Sequence, residues 1–212
     1  MQAPTIADSR ACDRVFRYLA GTKSLGLLFG RGSTATSTPS DAHISAYADA
    51  DWGSDVIDRK SITGWVAMLN GDPVSWASKK QKVVSQSSCE AELYAEAAGI
   101  NEIKWLRGLL DELGFSGAHT PILIGDNQST QSLTRNGIKS ERTKHVHIKY
   151  HFVTDEVAAG RVQLRWVPTT QQLADVLTKS LGVQQHRKLV QQLMVEALEQ
   201  PSLEHSRAQL TR

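Results

Sequence analysis

The stretch "HISAYADADWGSDVIDRKSITGWVAMLNGDPVSWASKK", residues 43–80, contains three runs that read as β-strands. The second and third are separated by Asn70-Gly71, a strong short hairpin signal, because a type I′ turn needs positive φ at both central residues. With "HISAYADA" as the first run, three antiparallel strands open the domain. Side chains alternate along that first strand, so Tyr47, Asp49 and Asp51 share one face while Ala46, Ala48 and Ala50 take the other. Asp49 therefore falls inside a strand, where an unpaired carboxylate costs several kcal/mol and must find a cation, a metal or a proton.

Downstream, "SSCEAELYAEAAGINEIKWLRGLLDELG" (87–114) reads as helix. Ser87 or Ser88 is its N-cap, Glu90 and Glu92 lie in its first turns, Gly99 divides it into two, and Gly114 ends it. "PILIGD" (121–126) is a short strand running into "NQSTQSLTRNG", read as a helix, and a strand that feeds a helix builds parallel sheet. Residues 143–159 read as a further helix, "RVQLRWV" (161–167) as a strand, and "TTQQLADVLTKSL" as a helix capped by Thr169 or Thr170. The expected class is α/β: one five-stranded mixed sheet, three antiparallel strands followed by parallel ones, with helices on both faces.

The flanks differ in texture. Residues 10–20 have helical spacing and stop at Gly21, and 30–42 are rich in Gly, Ser, Thr and Pro, which suits a linker. After 183 an amphipathic helix begins, with Leu189, Val190, Leu193 and Met194 as its buried side, and the end beyond Pro201 reads as a frayed tail. This divides the chain into 1–42, 43–182 and 183–212.

Composition excludes several classes. Within 212 residues there is no apolar run near the roughly 18 that a membrane span needs. Cys12 and Cys89 have neither CxxC spacing nor a disulfide pattern, and the first residues lack a secretory signal, so a reducing intracellular setting is expected. The net charge of +2 is close to neutral, yet Lys79, Lys80 and Lys82 cluster, as do Arg135, Lys139, Arg142, Lys144 and Lys149. Such patches suit either a polyanion partner or a solvated face.

Three further carboxylates occupy positions that could converge with Asp49. Glu92 stands beside apolar Leu93 in the long helix, Asp126 closes a strand at the edge where α/β ligands bind, and Asp175 lies between Ala174 and Val176. Each has a plainer reading: Asp126 as a helix cap, Glu92 as a complement to the helix dipole, Asp175 as a surface residue. Spacing alone does not show convergence. An oxygen-only donor set favours Mg²⁺, or Mn²⁺ in its place, over zinc. Two such ions activate water and stabilise both oxygens of an in-line phosphodiester displacement.

"YADADWGSDVIDRKSITGWVAMLNGDPVSWASKKQKVVSQSSCEAELYAEAAGINEIKWL", "GDNQST", "RTKHVHIKYHFV" and "WVPTTQQLADVLTKSL" together resemble the ribonuclease H domain of Ty1/copia-type retrotransposon Pol polyproteins, over roughly residues 43–182. "RVFRYLAGTKSLGLLF" (14–29) is similar to the segment that joins the family's reverse transcriptase to that domain. The resemblance implies a ribonuclease H-like fold and cleavage of the RNA strand of an RNA/DNA hybrid, leaving a 3′-hydroxyl and a 5′-phosphate. It implies a metal-binding, catalytic quartet of Asp49, Glu92, Asp126 and Asp175 that holds two Mg²⁺ ions, with Glu90 the nearest rival to Glu92. It also implies Gln128 at the hybrid's minor groove, with Asn127 as a second candidate beside it; the basic clusters, through Lys79, Lys80, Lys82, Arg142, Lys144 and Lys149, would then bind its phosphates. The implied partners are the hybrid and the reverse transcriptase of the same polyprotein, in a cytoplasmic virus-like particle, with no membrane and no small-molecule cofactor.

One departure from cellular relatives is the loop "WVPTTQQ", which has no histidine before the last helix. Of the nearby His145, His147 and His151, the last two are one turn apart as a metal pair would be, but no third zinc ligand is evident, and a polar helix face near phosphates is the plainer reading. Two other readings stand beside the nuclease: a catalytically silent hybrid-binding module from a decayed element copy, and a DNA-processing relative such as an integrase. The latter places its glutamate on a late helix, where this chain has Asp175.

Overall fold

Asn70 and Gly71 take φ values of 53° and 87°, the left-handed conformation that the turn demands. The computed structural model describes residues 3–30, 42–115, 119–128 and 144–196, the side chains of 144–147 excepted. The turn joins β3 (Ile62–Leu69) to β4 (Asp72–Lys80), and β3 pairs antiparallel with β2 (Ile44–Asp51). On its other side β2 pairs parallel with β5 (Ile122–Gly125), which pairs parallel with β6 (Gln163–Trp166). The sheet order is β4-β3-β2-β5-β6, the five-stranded mixed sheet expected of a ribonuclease H-like chain. β2 lies at its centre.

Each face of the sheet carries its own apolar cluster. On one, Ala46, Ala48 and Ala50 of β2 meet Ala91, Ala95, Ile100 and Ile103 of α2 (Ser88–Glu112) and Val153 of α3 (Lys144–Ala158). On the other, Val66 and Met68 meet Leu173 and the fully buried Leu189 of α5 (Val183–Leu193), with Tyr47 packed alongside. The alternation predicted for β2 is thus expressed as alanines toward α2 and Tyr47 toward the opposite cluster.

Gly99 does not divide the long helix: α2 runs unbroken for 25 residues. Glycine is required there by proximity instead. A Cβ at 99 would lie 2.8 Å from Leu123 Cδ1 and 3.3 Å from Ala48 Cβ, so the missing side chain lets α2 settle onto β2 and β5. Gly64 has the same role on the other face, where a Cβ would lie 2.6 Å from Thr178 Cγ2 and 2.9 Å from Leu177 Cβ.

Residues 169–181 do not form the single helix expected of them. A 3₁₀ turn (Thr169–Gln171) precedes α4 (Asp175–Thr178), which is one turn long. Between them Gln172 is fully buried; its Nε2 donates to Ala48 O at 2.9 Å and its Oε1 accepts from Ala174 N at 3.3 Å. These side-chain bonds to backbone replace helical ones and tie the segment to β2.

The chain separates into two compact units, Phe29–Leu193 and a second made of Met1–Leu28 with Met194–Arg212. In the second, α1 (Ile6–Thr22) opens with a capping box: Asp8 N donates to Thr5 Oγ1 at 3.2 Å, and Thr5 N donates to Asp8 Oδ2 at 2.7 Å. The helix continues past Gly21. β1 (Leu25–Gly26) pairs antiparallel with β7 (Val195–Glu196), two-residue strands too short to leave an alternation in the sequence. α5 ends at Leu193, so Met194 lies outside the helix whose buried side it was expected to join. The predicted helix after Asn127, and most of the 30–42 linker, fall outside the described residues. Among the described residues no helix is long and apolar enough to cross a membrane.

Candidate active site

Asp49 is fully buried on β2, opposite Gly64 in the β3 register. Both of its carboxylate oxygens have partners. Lys179 Nζ donates to Oδ1 at 2.8 Å, and Thr178 Oγ1 donates to Oδ2. The same ammonium lies 2.9 Å from Oδ1 of Asp175, which is itself 1% exposed. A lysine thus bridges two of the four predicted carboxylates.

Glu92 reaches the site from the first turns of α2. Ser87 is the N-cap, its Oγ accepting from Glu90 N at 3.1 Å. Glu90 turns back to accept from Gln86 N at 2.8 Å, and so is committed to the helix end. Glu92 instead faces Asp49 and Asp126: one ligand oxygen from each of the three lies within 4.8 Å of the others. The approach to α2 is fixed by a buried network that the sequence did not reveal. Gln81 Nε2 donates to Thr63 Oγ1 at 2.9 Å and to Ala91 O at 3.0 Å, while Ser85 Oγ donates to Gln81 Oε1 at 2.8 Å.

Asp126 follows β5 directly. Thr169 Oγ1 donates to its Oδ2 at 2.7 Å, and Trp166 Nε1 donates to its backbone oxygen at 2.9 Å. Asp126 thus accepts a side-chain bond, and the segment after Gln128 that it was read as capping lies outside the described residues. Glu92, Asp126, Asn127, Gln128 and Trp166 line an open cavity of about 380 Å³. The predicted groove residues Asn127 and Gln128 therefore adjoin the carboxylates.

Electrostatics follow from burial and crowding. Burial raises the Glu92 carboxyl well above the usual range, and the charges of Asp49 and Asp126 push it further. Asp175 is raised by burial and by Asp49 and Asp126, against the pull of the Lys179 hydrogen bond. Burial opposes the charge on Lys179, but Asp49 and Asp175 outweigh it and hold the ammonium above its ordinary value. Behind the cluster, Glu96 is pushed up to about 8 by burial, and its Oε2 is buried with no hydrogen-bond partner among the described residues.

The other predicted residues are dispersed. Lys79 and Lys82 are exposed. Lys80 pairs with Asp55 at 2.6 Å and Asp58 at 3.0 Å, within a loop where Asp55 also accepts from Ile57 N and Asp58 N. Lys149 is half-buried on α3; Lys144 begins that helix without a described side chain, and Arg142 lies outside the described residues. The side chains of His145 and His147 are likewise outside them.

The donor set suits a hard divalent cation. Every side chain in the three-residue cluster offers oxygen, the donors are close enough to share one ion, and burial together with neighbouring carboxylates raises two of the four carboxyls. Lys179 and Thr178, which the sequence did not single out, are the side chains bonded to Asp49. Both lie in "ADVLTKSL", where Lys179 stands four residues after Asp175, the interval at which helical side chains meet.

No protein-family model matches the chain. A Pol polyprotein of Arabidopsis thaliana, from the transposon RE2, is 40% identical over 182 residues, 86% of this chain. Another from Nicotiana tabacum, of transposon TNT 1-94, is 35% identical over 165 residues, 78% of this chain. The chain is a homologue of copia-type retrotransposon Pol polyproteins. The chain spans 12% of the length of each of these two relatives. Among solved structures, a Halobacterium salinarum RNase H1 is 18% identical, covering 64% of this chain and 94% of that one, with a TM-score of 0.47. The N-terminal RNase H domain of a Mycobacterium tuberculosis protein is 13% identical, covering 71% and 98%, with a TM-score of 0.49.

Proposed function

We propose that residues 43–182 are the ribonuclease H domain of a copia-type Pol polyprotein, hydrolysing the RNA strand of an RNA/DNA hybrid during reverse transcription. The observation that carries the proposal is the convergence of Asp49, Glu92 and Asp126, with ligand oxygens within 4.8 Å of one another beside an open cavity. Three elements distant in sequence deliver charge to one point at a real electrostatic cost. A cation-dependent activity explains why.

Asp49, Glu92, Asp126 and Asp175 would hold two Mg²⁺ ions. When bound, the ions supply an activated water and charge stabilisation for the attacking and leaving oxygens. In the net reaction, an oxygen–phosphorus bond forms from water as the bond from phosphorus to the 3′-oxygen breaks, and the 3′-oxygen gains the proton. Asn127 and Gln128, at the cavity lip, would contact the minor groove, where 2′-hydroxyls distinguish RNA from DNA. Lys79 and Lys82, with Arg142, Lys144 and Lys149, would meet phosphates. The reverse transcriptase of the same polyprotein is the proposed covalent neighbour.

The test is hydrolysis of a labelled RNA/DNA hybrid in Mg²⁺ by the parent and by Asp49→Asn. The expected result is metal-dependent cleavage by the parent alone. A parent that binds hybrid without cutting it would instead support the silent module, and an Asp49→Asn protein as fast as the parent would overturn the site.

A further inference from the structure

We infer that Lys179 is a tethered cation that holds the Asp49–Asp175 side of the site until a divalent ion replaces it, making the two ion positions unequal. This rests on the metal-dependent reading above and adds an order of filling to it.

The four carboxylates divide into two groups by geometry. Asp49, Glu92 and Asp126 bring ligand oxygens within 4.8 Å of one another, a group that does not include Asp175. Asp175 is joined to Asp49 through the Lys179 ammonium, at 2.9 and 2.8 Å. That ammonium occupies the position between two carboxylates that a bridging divalent ion would need. A monovalent and a divalent cation cannot share it without strong repulsion.

Removal of the ammonium is sterically open. The Lys179 side chain is 29% exposed while its two partners are almost wholly buried. Its backbone is extended (φ −119°, ψ 148°) just beyond the last residue of α4, so the side chain can swing to solvent without unwinding the helix. At the position of Asp49, Glu92 and Asp126 the ammonium is bonded, among the described contacts, to one carboxylate of the three, Asp49, whereas at the other position it is bonded to both. The three-carboxylate position should fill first, and the position at Asp49 and Asp175 should fill only at the cost of displacing Lys179. In the ion-free chain the same lysine offsets two buried carboxylates, and so supports the fold.

The experiment is a Mn²⁺ titration of the full chain, with free ion counted by electron paramagnetic resonance, on the parent, Lys179→Met and Lys179→Arg. Thermal unfolding is followed with and without Mn²⁺. The parent should bind one ion at least tenfold more tightly than the second. Lys179→Met should tighten the second ion about tenfold or more and leave the first nearly unchanged. Its ion-free melting temperature should fall and recover with Mn²⁺, whereas Lys179→Arg should keep the second position weak. Should Lys179→Met not fold ion-free, Lys179→Gln, which retains a donor, takes its place; folding of either only with Mn²⁺ supports the inference. Equal binding by parent and neutral variants overturns it while leaving the metal site intact. Failure of both neutral variants to fold even in saturating Mn²⁺ also overturns it, and absence of ion binding by every protein overturns the metal reading as well.

Discussion

The hydroxyl of Thr169 meets Asp126 Oδ2 at 2.7 Å, so the carboxylate at the end of β5 is aimed by a residue beyond the end of β6. Trp166 Nε1 holds the Asp126 backbone from the same side. Partners that orient a metal ligand typically account for about 10–100-fold in affinity or activity. Thr169→Val should therefore lower hybrid cleavage by about tenfold or more with little change in the urea midpoint. Unchanged rates and unchanged Mn²⁺ affinity would show that Asp126 needs no such support.

Gly64 sets how closely α4 approaches β3. An alanine there would put its Cβ 2.6 Å from Thr178 Cγ2 and 3.2 Å from the Ala174 oxygen, a backbone atom that cannot rotate away. Overpacking of this kind costs typically about 1–3 kcal/mol. Gly64→Ala should lose stability in that range by urea denaturation, and cleavage should fall further than stability does, because α4 carries Asp175.

The lysines of the 79–82 cluster should behave differently from one another. Lys79 and Lys82 are exposed, whereas Lys80 is paired with Asp55 and Asp58. The Lys80 hydrogen bond, joined by the N–H groups of Ile57 and Asp58, holds the Asp55 carboxyl down at about 2. Replacing Lys79 and Lys82 with alanine should reduce the slope of log affinity for hybrid against log salt by about 1–2, as expected for one or two lost phosphate contacts. Lys80→Ala should change that slope less. Fluorescence anisotropy over a salt series separates the two, and equal slopes for all three proteins would remove this patch from the interface.

Glu96 predicts a pH dependence. Burial raises its carboxyl from 4.5 in the unfolded chain to about 8 in the folded one. Between those values the folded state holds a proton that the unfolded state has lost, so stability is highest below about 4.5 and declines as pH rises, by about 1.4 kcal/mol per unit for this group. Glu96→Gln should flatten the metal-free stability profile across that window and be the more stable protein at pH 8. Parallel profiles for the two proteins would show that the carboxyl is ionised or hydrated in place.

The hairpin, the α2 cap at Ser87 and the alternation of β2 were legible because each depends on local chemistry: positive φ, an orphan N–H, a period of two. Convergence of Glu92 and Asp126 on Asp49 was foreseeable only through family resemblance, since spacing does not encode distance across a sheet. Gly99 was misread for a related reason. A glycine that breaks a helix and one that admits a neighbouring strand look alike until Leu123 and Ala48 are placed against it. Gln172 and Lys179 were invisible as site residues because their partners, Ala48 and Asp49, are more than 120 positions away.

The row of alanines behind Asp49 bears on how a copy of such an element would lose function. Ala46, Ala48 and Ala50 are at most 5% exposed, and Gly64 and Gly99 have no room for one carbon more. On the proposed function, drift that spares all four carboxylates should still be able to silence the site, because added carbons at these two glycines, or overpacking at these three buried alanines, would press on the strand or helices that aim them. The most vulnerable letters of the sequence are thus the ones with the least chemistry in them, and an intact acidic quartet is a poor witness that a copy remains competent.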